Sequence, residues 1–294
     1  MEDLDYQPNL LAGSLRKKRT GTIGLIIPDS SNMLFADMSK KLEDVFFEKK
    51  YNIIVCNSSY DVRREIEHLR TLRSKMVDGI LMVPASGEGG HILGIKEAGI
   101  PIILLDRKIY GVDVDYILAD NHRAGYLAGR HLIGLGHSDI GYIDRAFPHY
   151  HSTKRKEGLQ EALSEAGLEL GGSIVKGGFT YREGADAAAE MMEKNREVTA
   201  IFAFNDINAL GAIRGLTDIG FRVPEDISVM GNDDIKLGEA FIPGLTTIHY
   251  PVEEMAEKAA GILLERIGQP GSGDLKEIIL KTDIIIREST AARR

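Results

Sequence analysis

The sequence predicts an α/β protein made of two doubly wound parallel-sheet lobes. Three observations lead there. Short apolar runs rich in β-branched residues, such as Ile23-Gly24-Leu25-Ile26-Ile27, have the length and composition of strands buried on both faces. Segments whose apolar residues recur at helical spacing lie between them, and strands alternating with helices are the mark of βαβ units. The alternation restarts in the second half, and 294 residues, at about 150 per domain, accommodate two such lobes.

Ahead of the first strand, Pro8 and the potential N-cap Asn9 open a short helical stretch over residues 10–19, LLAGSLRKKR. A lone helix under about 12 residues is marginal in water, and Gly13 weakens it further, so this stretch is expected to be disordered alone and to fold only against a partner. Strand 23–27 stops at Pro28. The turn and cap residues Asp29, Ser30, Ser31 and Asn32 lead into helix 34–50, with Leu34, Phe35, Met38, Leu42, Val45 and Phe46 on one face. Strand 53–57 precedes helix 61–75, strand 79–83 precedes helix 91–98, and strand 101–105 ends in Asp106-Arg107. A short strand at 116–119, helix 121–134 and strand 139–143 close the first series.

The second series runs through helix 152–166, strand 174–178, helix 182–194, strand 200–204, helix 206–219, strand 227–230, strand 245–248 and helix 252–267. The last apolar runs, Ile278–Leu280 and Ile284–Ile286, read as a closing hairpin. Residues 1–19 are thus set apart from lobes over 20–145 plus 251–275 and over 146–250 plus 276–294. No Ser/Gly/Pro-rich tether separates the lobes, which implies a hinge and a ligand-closing cleft.

The net charge of −8 makes the body a poor partner for nucleic acid, so any DNA contact must be local, at Arg16-Lys17-Lys18-Arg19. The single cysteine, Cys56, can form no intrachain disulfide, which points to a reducing, cytoplasmic setting. No apolar stretch reaches the length of a membrane span, and the acidic start MEDLDYQPNLL lacks a signal-peptide core.

Chemistry concentrates just after the strands, at Asp29–Phe35, Asp106-Arg107, Asn205-Asp206 and Asn232-Asp233-Asp234. In open α/β sheets these ends face the ligand crevice. Carboxylates, amides and guanidinium groups pair with hydroxyls, and Phe35 or Phe179 can stack on an apolar sugar face. Taken singly, Asn and Asp follow strands as turn and cap formers; as a set, the four ends favour a site. No nucleophile elbow, zinc-helix or phosphate-loop motif occurs, and Gly87-Glu88-Gly89-Gly90 fits no dinucleotide fingerprint, so neither cofactor nor catalysis is expected. His149 and His151 lack a third metal ligand and read as exposed loop residues. Asp233 and Asp234, as neighbours on an extended segment, should point to opposite faces.

The segments LDYQPNLLAGSLRKKRTGTIGLIIPD, KMVDGILMVP, ADNHRAGYLAGRHLIGLGHSDIGYI, AIFAFNDINALGAIRGL and VPEDISVMGNDD, followed by IPGLTTIHYP, resemble in this order the lactose/galactose repressor family of bacterial transcription regulators over residues 4–290. The same sensor fold occurs in periplasmic sugar-binding proteins, but YQPNLLAGSLR resembles the repressors.

The resemblance implies a homodimer that binds operator DNA and a small-molecule effector, most simply a sugar, with a purine or nucleoside as the alternative. It implies that the family's helix-turn-helix headpiece is missing here, with Met1–Tyr6 matching the end of its last helix. Leu10–Arg19 then matches the hinge helix, Leu15 the leucine that wedges into the minor groove, and Arg16 and Lys17 its neighbours on DNA. Gly13 stands where many relatives have Arg. For the effector, Leu34 and Phe35 match an aromatic pair, with Leu34 lacking a ring. Asp106 and Arg107 match a pair that holds sugar hydroxyls in ribose-type binding proteins, with an interlobe salt bridge as the alternative; Arg155 matches an arginine that clamps the ligand, Phe179 an aromatic wall, and Asn205 and Asp233 an amide and a carboxylate that bind hydroxyls. Asn32 and Asp120 are weaker matches, and Asn232 replaces a frequent tyrosine. Phe46, Phe47 and Leu72 are candidates for the dimer face. A sugar-transport protein and an α/β enzyme are the competing readings; the first is opposed by residues 4–19 and the second by the absence of a catalytic motif.

Overall fold

The computed structural model describes residues 19–145, 150–170, 173–271 and 273–293. Leu15, Arg16 and Lys17, with the rest of the expected hinge helix up to residue 18, lie outside the described residues, as does His149.

In chain order the strands are β1 (Thr22–Ile27), β2 (Asn52–Asn57), β3 (Gly79–Met82), β4 (Ile102–Leu105), β5 (Asp115–Ala119), β6 (Ile140–Arg145), β7 (Ile174–Gly177), β8 (Ala200–Ala203), β9 (Ser228–Met230), β10 (Thr247–His249), β11 (Glu277–Leu280) and β12 (Asp283–Ile285). The helices are α1 (Met33–Glu48), α2 (Val62–Ser74), α3 (Gly90–Glu97), α4 (Asn121–Gly134), α5 (Tyr150–Glu165), α6 (Tyr181–Lys194), α7 (Asp206–Asp218), α8 (Lys236–Ala240) and α9 (Val252–Gly268).

The chain divides into two compact units, one running to Leu118 and including Val252–Ile278, the other comprising Ala119–Pro251 and Ile279–Arg294. The first unit holds a six-stranded sheet in the order β11-β5-β4-β3-β1-β2, with β1 to β5 parallel. The second holds a parallel sheet in the order β7-β6-β8-β9 and the antiparallel pair β10-β12. Both large sheets are doubly wound: a first strand, β1 or β6, has its successor on one side and the next strand on the other.

The division differs from the sequence expectation at three places, the smallest being Pro251, expected with the first lobe and found with the second. Residues 119–145 group with the second unit, because α4 packs on α5 through Ala124, Ala128, Leu132, Leu159 and Leu163, and β6 opens the second sheet. Residues 276–278 group with the first, because β11 joins β5 there. The expected C-terminal hairpin does not form: β11 completes the six-stranded sheet and β12 pairs with β10.

In the first unit, Ile23, Leu25, Ile26 and Ile27 of β1 are wholly buried, and α1 turns Leu34, Phe35, Met38, Leu42 and Phe46 inward. Phe46 and Leu72 are therefore core residues and not an exposed face, whereas Phe47 is 69% exposed. In the second unit α6 and α7 bury Ala187, Ala188, Met191, Ala209, Ala212 and Leu216 against Ile143, Ile201 and Val229. Thr180 and Glu183 start α6 with reciprocal side-chain-to-backbone hydrogen bonds. Among the described residues, no helix is long and apolar enough to cross a membrane.

Candidate functional site

In the second unit the carboxyl ends of four parallel strands carry the polar residues. Arg145 of β6 lies in register with Gly177 of β7. Ile143 is in register with Ala203, and Phe202 with Met230; continuing these registers places Asn205 beside Arg145, and Asp233 beside Asn205. Neighbouring strands are about 4.8 Å apart, so these residues form one row.

Arg155 of α5 is 3% exposed and meets the row from the helix side. Its Nε donates to Asn121 Oδ1 at 2.7 Å, its Nη1 donates to the Phe204 carbonyl, and its Nη2 stands 3.9 Å from Asp233 Oδ1. Asn121 begins α4 and donates in turn to the Ala119 carbonyl at 3.0 Å. Asn232 Nδ2 donates to Asp233 Oδ1 at 2.9 Å. Asn205 is the N-cap of α7; its Oδ1 accepts from Asn208 N at 3.0 Å and Asn208 Nδ2 at 2.8 Å. The cap and site roles are thus compatible: the carbonyl serves the helix, while the amide nitrogen has no protein acceptor among the described residues. Phe179 follows β7, half-buried, with the Arg145 guanidinium 4.5 Å above its ring.

Asp233 and Asp234 have φ of 136° and 58°, outside the usual range for L residues. Their side chains diverge as expected, although the backbone at these two residues is not extended. Asp233 faces Arg155, whereas Asp234 accepts from Arg287 Nη2 at 2.8 Å and contacts His249 Nδ1 at 2.9 Å. The hydrogen bond from His249 and the cation of Arg287 hold the Asp234 carboxyl below its ordinary range.

Asp206, wholly buried beneath the row, takes hydrogen bonds from Thr247 Oγ1 and from Ile235 N, the latter at 2.8 Å. Burial nevertheless pushes its carboxyl up, from 3.8 to about 6. A folded-state value above the unfolded one means that the native protein binds the proton more tightly. The stabilisation this group provides is therefore full below about pH 4 and falls away as pH rises toward 6. Thr247→Val removes a bond that favours the charged form, so the fall should extend above pH 6. Urea denaturation of both proteins between pH 5 and 8 reads this; identical pH slopes would show that Asp206 is not the group concerned.

In the first unit, Asn32 is the N-cap of α1, its Oδ1 accepting from Leu34 N at 3.0 Å. Leu34 and Phe35 are 7% and 4% exposed, on the inward face of α1. Asp106 and Arg107 end β4, both buried, with Asp106 in the left-handed region at φ 64°. Arg107 Nη1 donates to the Pro84 carbonyl at 2.6 Å, its Nε lies 3.5 Å from Asp106 Oδ2, and its guanidinium lies 5.6 Å from the centre of the Tyr60 ring. Arg107 thereby ties together the segments that follow β2, β3 and β4. Asp120, the weaker match, caps α4 through Arg123 N at 2.9 Å.

Three features were missed in the sequence. Asn121 was read only as the start of a helix. Asp144-Arg145 ends β6 and comes just after the apolar run 140–143, much as Asp106-Arg107 comes after β4, and the strand-end rule finds it. Glu65, wholly buried on α2, accepts from Ala85 N and lies 3.1 Å from His91 Nε2, steadying the segment after β3; a lone Glu on a helical face carries no signal for this. His151, expected in an exposed loop, is buried within α5. Among the described residues no group of three metal-ligating side chains occurs.

Two doubly wound units with polar side chains at their strand ends define the periplasmic-binding-protein class of ligand-binding folds. A family model described as "Periplasmic binding proteins and sugar binding domain of LacI family" matches residues 20–285, and the chain belongs to that family. It is 33% identical over 288 residues to the HTH-type transcriptional repressor PurR of Mannheimia succiniciproducens, covering 97% of this chain and 86% of that one. It is 31% identical to the HTH-type transcriptional regulator DegA of Bacillus subtilis, covering 99% and 87%. Among solved structures, a LacI family regulator from Enterococcus faecium with bound ribose is similar, at TM-score 0.84 and 32% identity over 93% of this chain and all of that one. A periplasmic binding protein/LacI transcriptional regulator from Alkaliphilus metalliredigens complexed with D-xylulofuranose follows, at 0.80 and 27% over 92% and 99%.

Proposed function

We propose that this chain is the effector-sensing core of a cytoplasmic DNA-binding transcription regulator, that its effector is a small hydroxylated molecule of the sugar class, and that it acts as a homodimer, by binding and not by catalysis. The regulator role is supported by the relatives, which are named transcriptional repressors and regulators. The sugar class is supported by similar structures that hold ribose and D-xylulofuranose.

The observation that carries the reading is the buried set Arg155, Asn205 and Asp233 in the second unit. Buried polar groups are retained where they are satisfied, and hydroxyls satisfy such a mixture in pairs, each donating to the carboxylate and accepting from the guanidinium or amide. Asn32, Leu34, Phe35, Asp106 and Arg107 of the first unit are proposed as effector-binding residues. Leu15, Arg16 and Lys17 are proposed to contact operator DNA.

Thermal-shift screening against pentoses, hexoses, nucleosides and purine bases tests the effector class. A sugar should raise the midpoint, and binding by bases alone would replace the sugar reading with a purine one. Sedimentation at micromolar concentration should show a dimer; a monomer would contradict the proposed assembly.

A further inference from the structure

We infer that Asp206 is a positioning residue for the effector: as a carboxylate it holds the turn over residues 232–235 in the shape that presents Asp233, so that effector affinity falls in acid. The inference rests on the sugar reading above and deepens it.

Strain is the first argument. The turn carries Asp233 at φ 136° and Asp234 at φ 58°, a conformation that L residues keep only where their surroundings impose it. Asp206 is wholly buried beside the turn and grips it at both ends. Its backbone N–H donates to the Asn232 carbonyl at 2.8 Å, and its Oδ2 accepts from Ile235 N at 2.8 Å. Its Oδ1 accepts from Thr247 of β10, the strand to which Asp233 N is tied through the Ile248 carbonyl at 3.0 Å. The fit is close, since a Cβ at Gly231 would lie 2.2 Å from Asp206 Oδ1. A shift of this carboxylate therefore moves the turn, and Asp233 with it.

Protonation is the second argument. An ionised carboxylate accepts at both oxygens, and a protonated one turns one of them into a donor. Both present partners, Thr247 Oγ1 and Ile235 N, are donors, so an added proton must displace or reverse one of them. Burial raises this carboxyl to about 6, which brings the change close to neutral pH. Asp234 opposes its ionisation from within the turn, and Arg287 favours it. His249 of β10 meets Asp234 at 2.9 Å, and α8 approaches Asp206 through Gly238, which carries no charge. The two effects of acid run in opposite directions. Acid favours the fold as a whole, because the native state binds the proton more tightly, yet it loosens the turn that serves the ligand. A merely structural carboxylate would move stability and affinity together.

Calorimetry of the whole chain with D-ribose, a neutral sugar that does not titrate in this range, tests the inference; the best sugar of the thermal screen takes its place if ribose does not bind. Affinity should fall about fivefold from about pH 7.5 to about pH 5, as linkage gives when the bound sugar weakens the proton's hold on Asp206 about tenfold. Asp206→Asn keeps the shape but cannot accept at both positions, so it should bind weakly throughout and lose the pH dependence. His249→Gln should keep it. Amide exchange at residues 233–235, corrected for the intrinsic effect of pH, should quicken in acid in wild type and be quick at either pH in Asp206→Asn. A variant that is merely less stable would exchange faster throughout the second unit, and the wild-type profiles stand whether or not a variant folds. An affinity that is level with pH, or that rises in acid along with stability, overturns the inference and leaves the sugar reading intact. A fall that persists in Asp206→Asn and vanishes in His249→Gln assigns the effect to His249 and overturns the role of Asp206. Failure of every sugar to bind overturns the sugar reading, and the exchange profile then decides separately: a turn that loosens in acid supports the grip of Asp206, and one that does not ends it.

Discussion

Arg155→Met should abolish effector recognition and destabilise the second unit together. Methionine fills a similar volume but supplies no donor. Asn121 Oδ1 and the Phe204 carbonyl then lose a buried guanidinium, and Asp233 loses the one 3.9 Å away. Breaking a buried ionic network by removing one partner costs about 3–5 kcal/mol. Loss of a charged hydrogen bond to the ligand costs about 1.5–3 kcal/mol, a ten- to hundredfold fall in affinity. Asp233→Asn, which keeps an acceptor, should have the milder effect on stability. Denaturant midpoints and calorimetric titration with the best sugar from the screen measure the two effects. Wild-type midpoint and affinity in Arg155→Met would remove Arg155 from both roles.

Gly158→Ala should be nearly as damaging, although it adds only a methyl group. A Cβ at Gly158 would lie 1.9 Å from the His122 carbonyl oxygen and 2.8 Å from Tyr126 N, and one at Gly125 would lie 1.8 Å from the Arg155 carbonyl oxygen. These neighbours are backbone, so no side chain can swing aside. Helices α4 and α5 must separate instead, and they carry Asn121 and Arg155 with them. The cost should exceed the ordinary overpacking penalty of about 1–3 kcal/mol. Effector affinity should fall as well, because the Arg155–Asn121 hydrogen bond spans the moving pair. A thermal melt within a degree of wild type would show that the helices tolerate the separation.

The sequence reveals the two sheets because their strands are buried on both faces, and burial writes itself as apolar runs: every residue of β3, β4 and β8 is buried. Strand ends are legible for the same reason, since the first polar residues after such runs are Asp106, Asn205 and, past Gly231, Asn232 and Asp233. Pairing between distant segments is not legible in this way. Nothing in Glu277–Leu280 says that it joins β5 while Asp283–Ile285 joins β10, because each register is fixed by the tertiary structure and not by local pattern. The close approach at Gly125 and Gly158 is equally silent, as helical glycines look like weak points until the neighbouring helix is in place. Asn205 shows how one side chain can serve two needs: its carbonyl caps α7, which leaves its amide nitrogen for the proposed effector.

The placing of β11 and β12 bears on how the polypeptide is made. The first unit needs Val252–Ile278 and the second needs the residues that follow, so neither is complete until the last segment has left the ribosome. Domains that fold one after another during synthesis are spared this wait. Here a nascent chain stopped short of residue 277 lacks an edge strand from its six-stranded sheet and the partner of β10. Translation arrest or C-terminal clipping therefore yields two unfinished sheets with unpaired edges, rather than one intact half, and such edges invite aggregation.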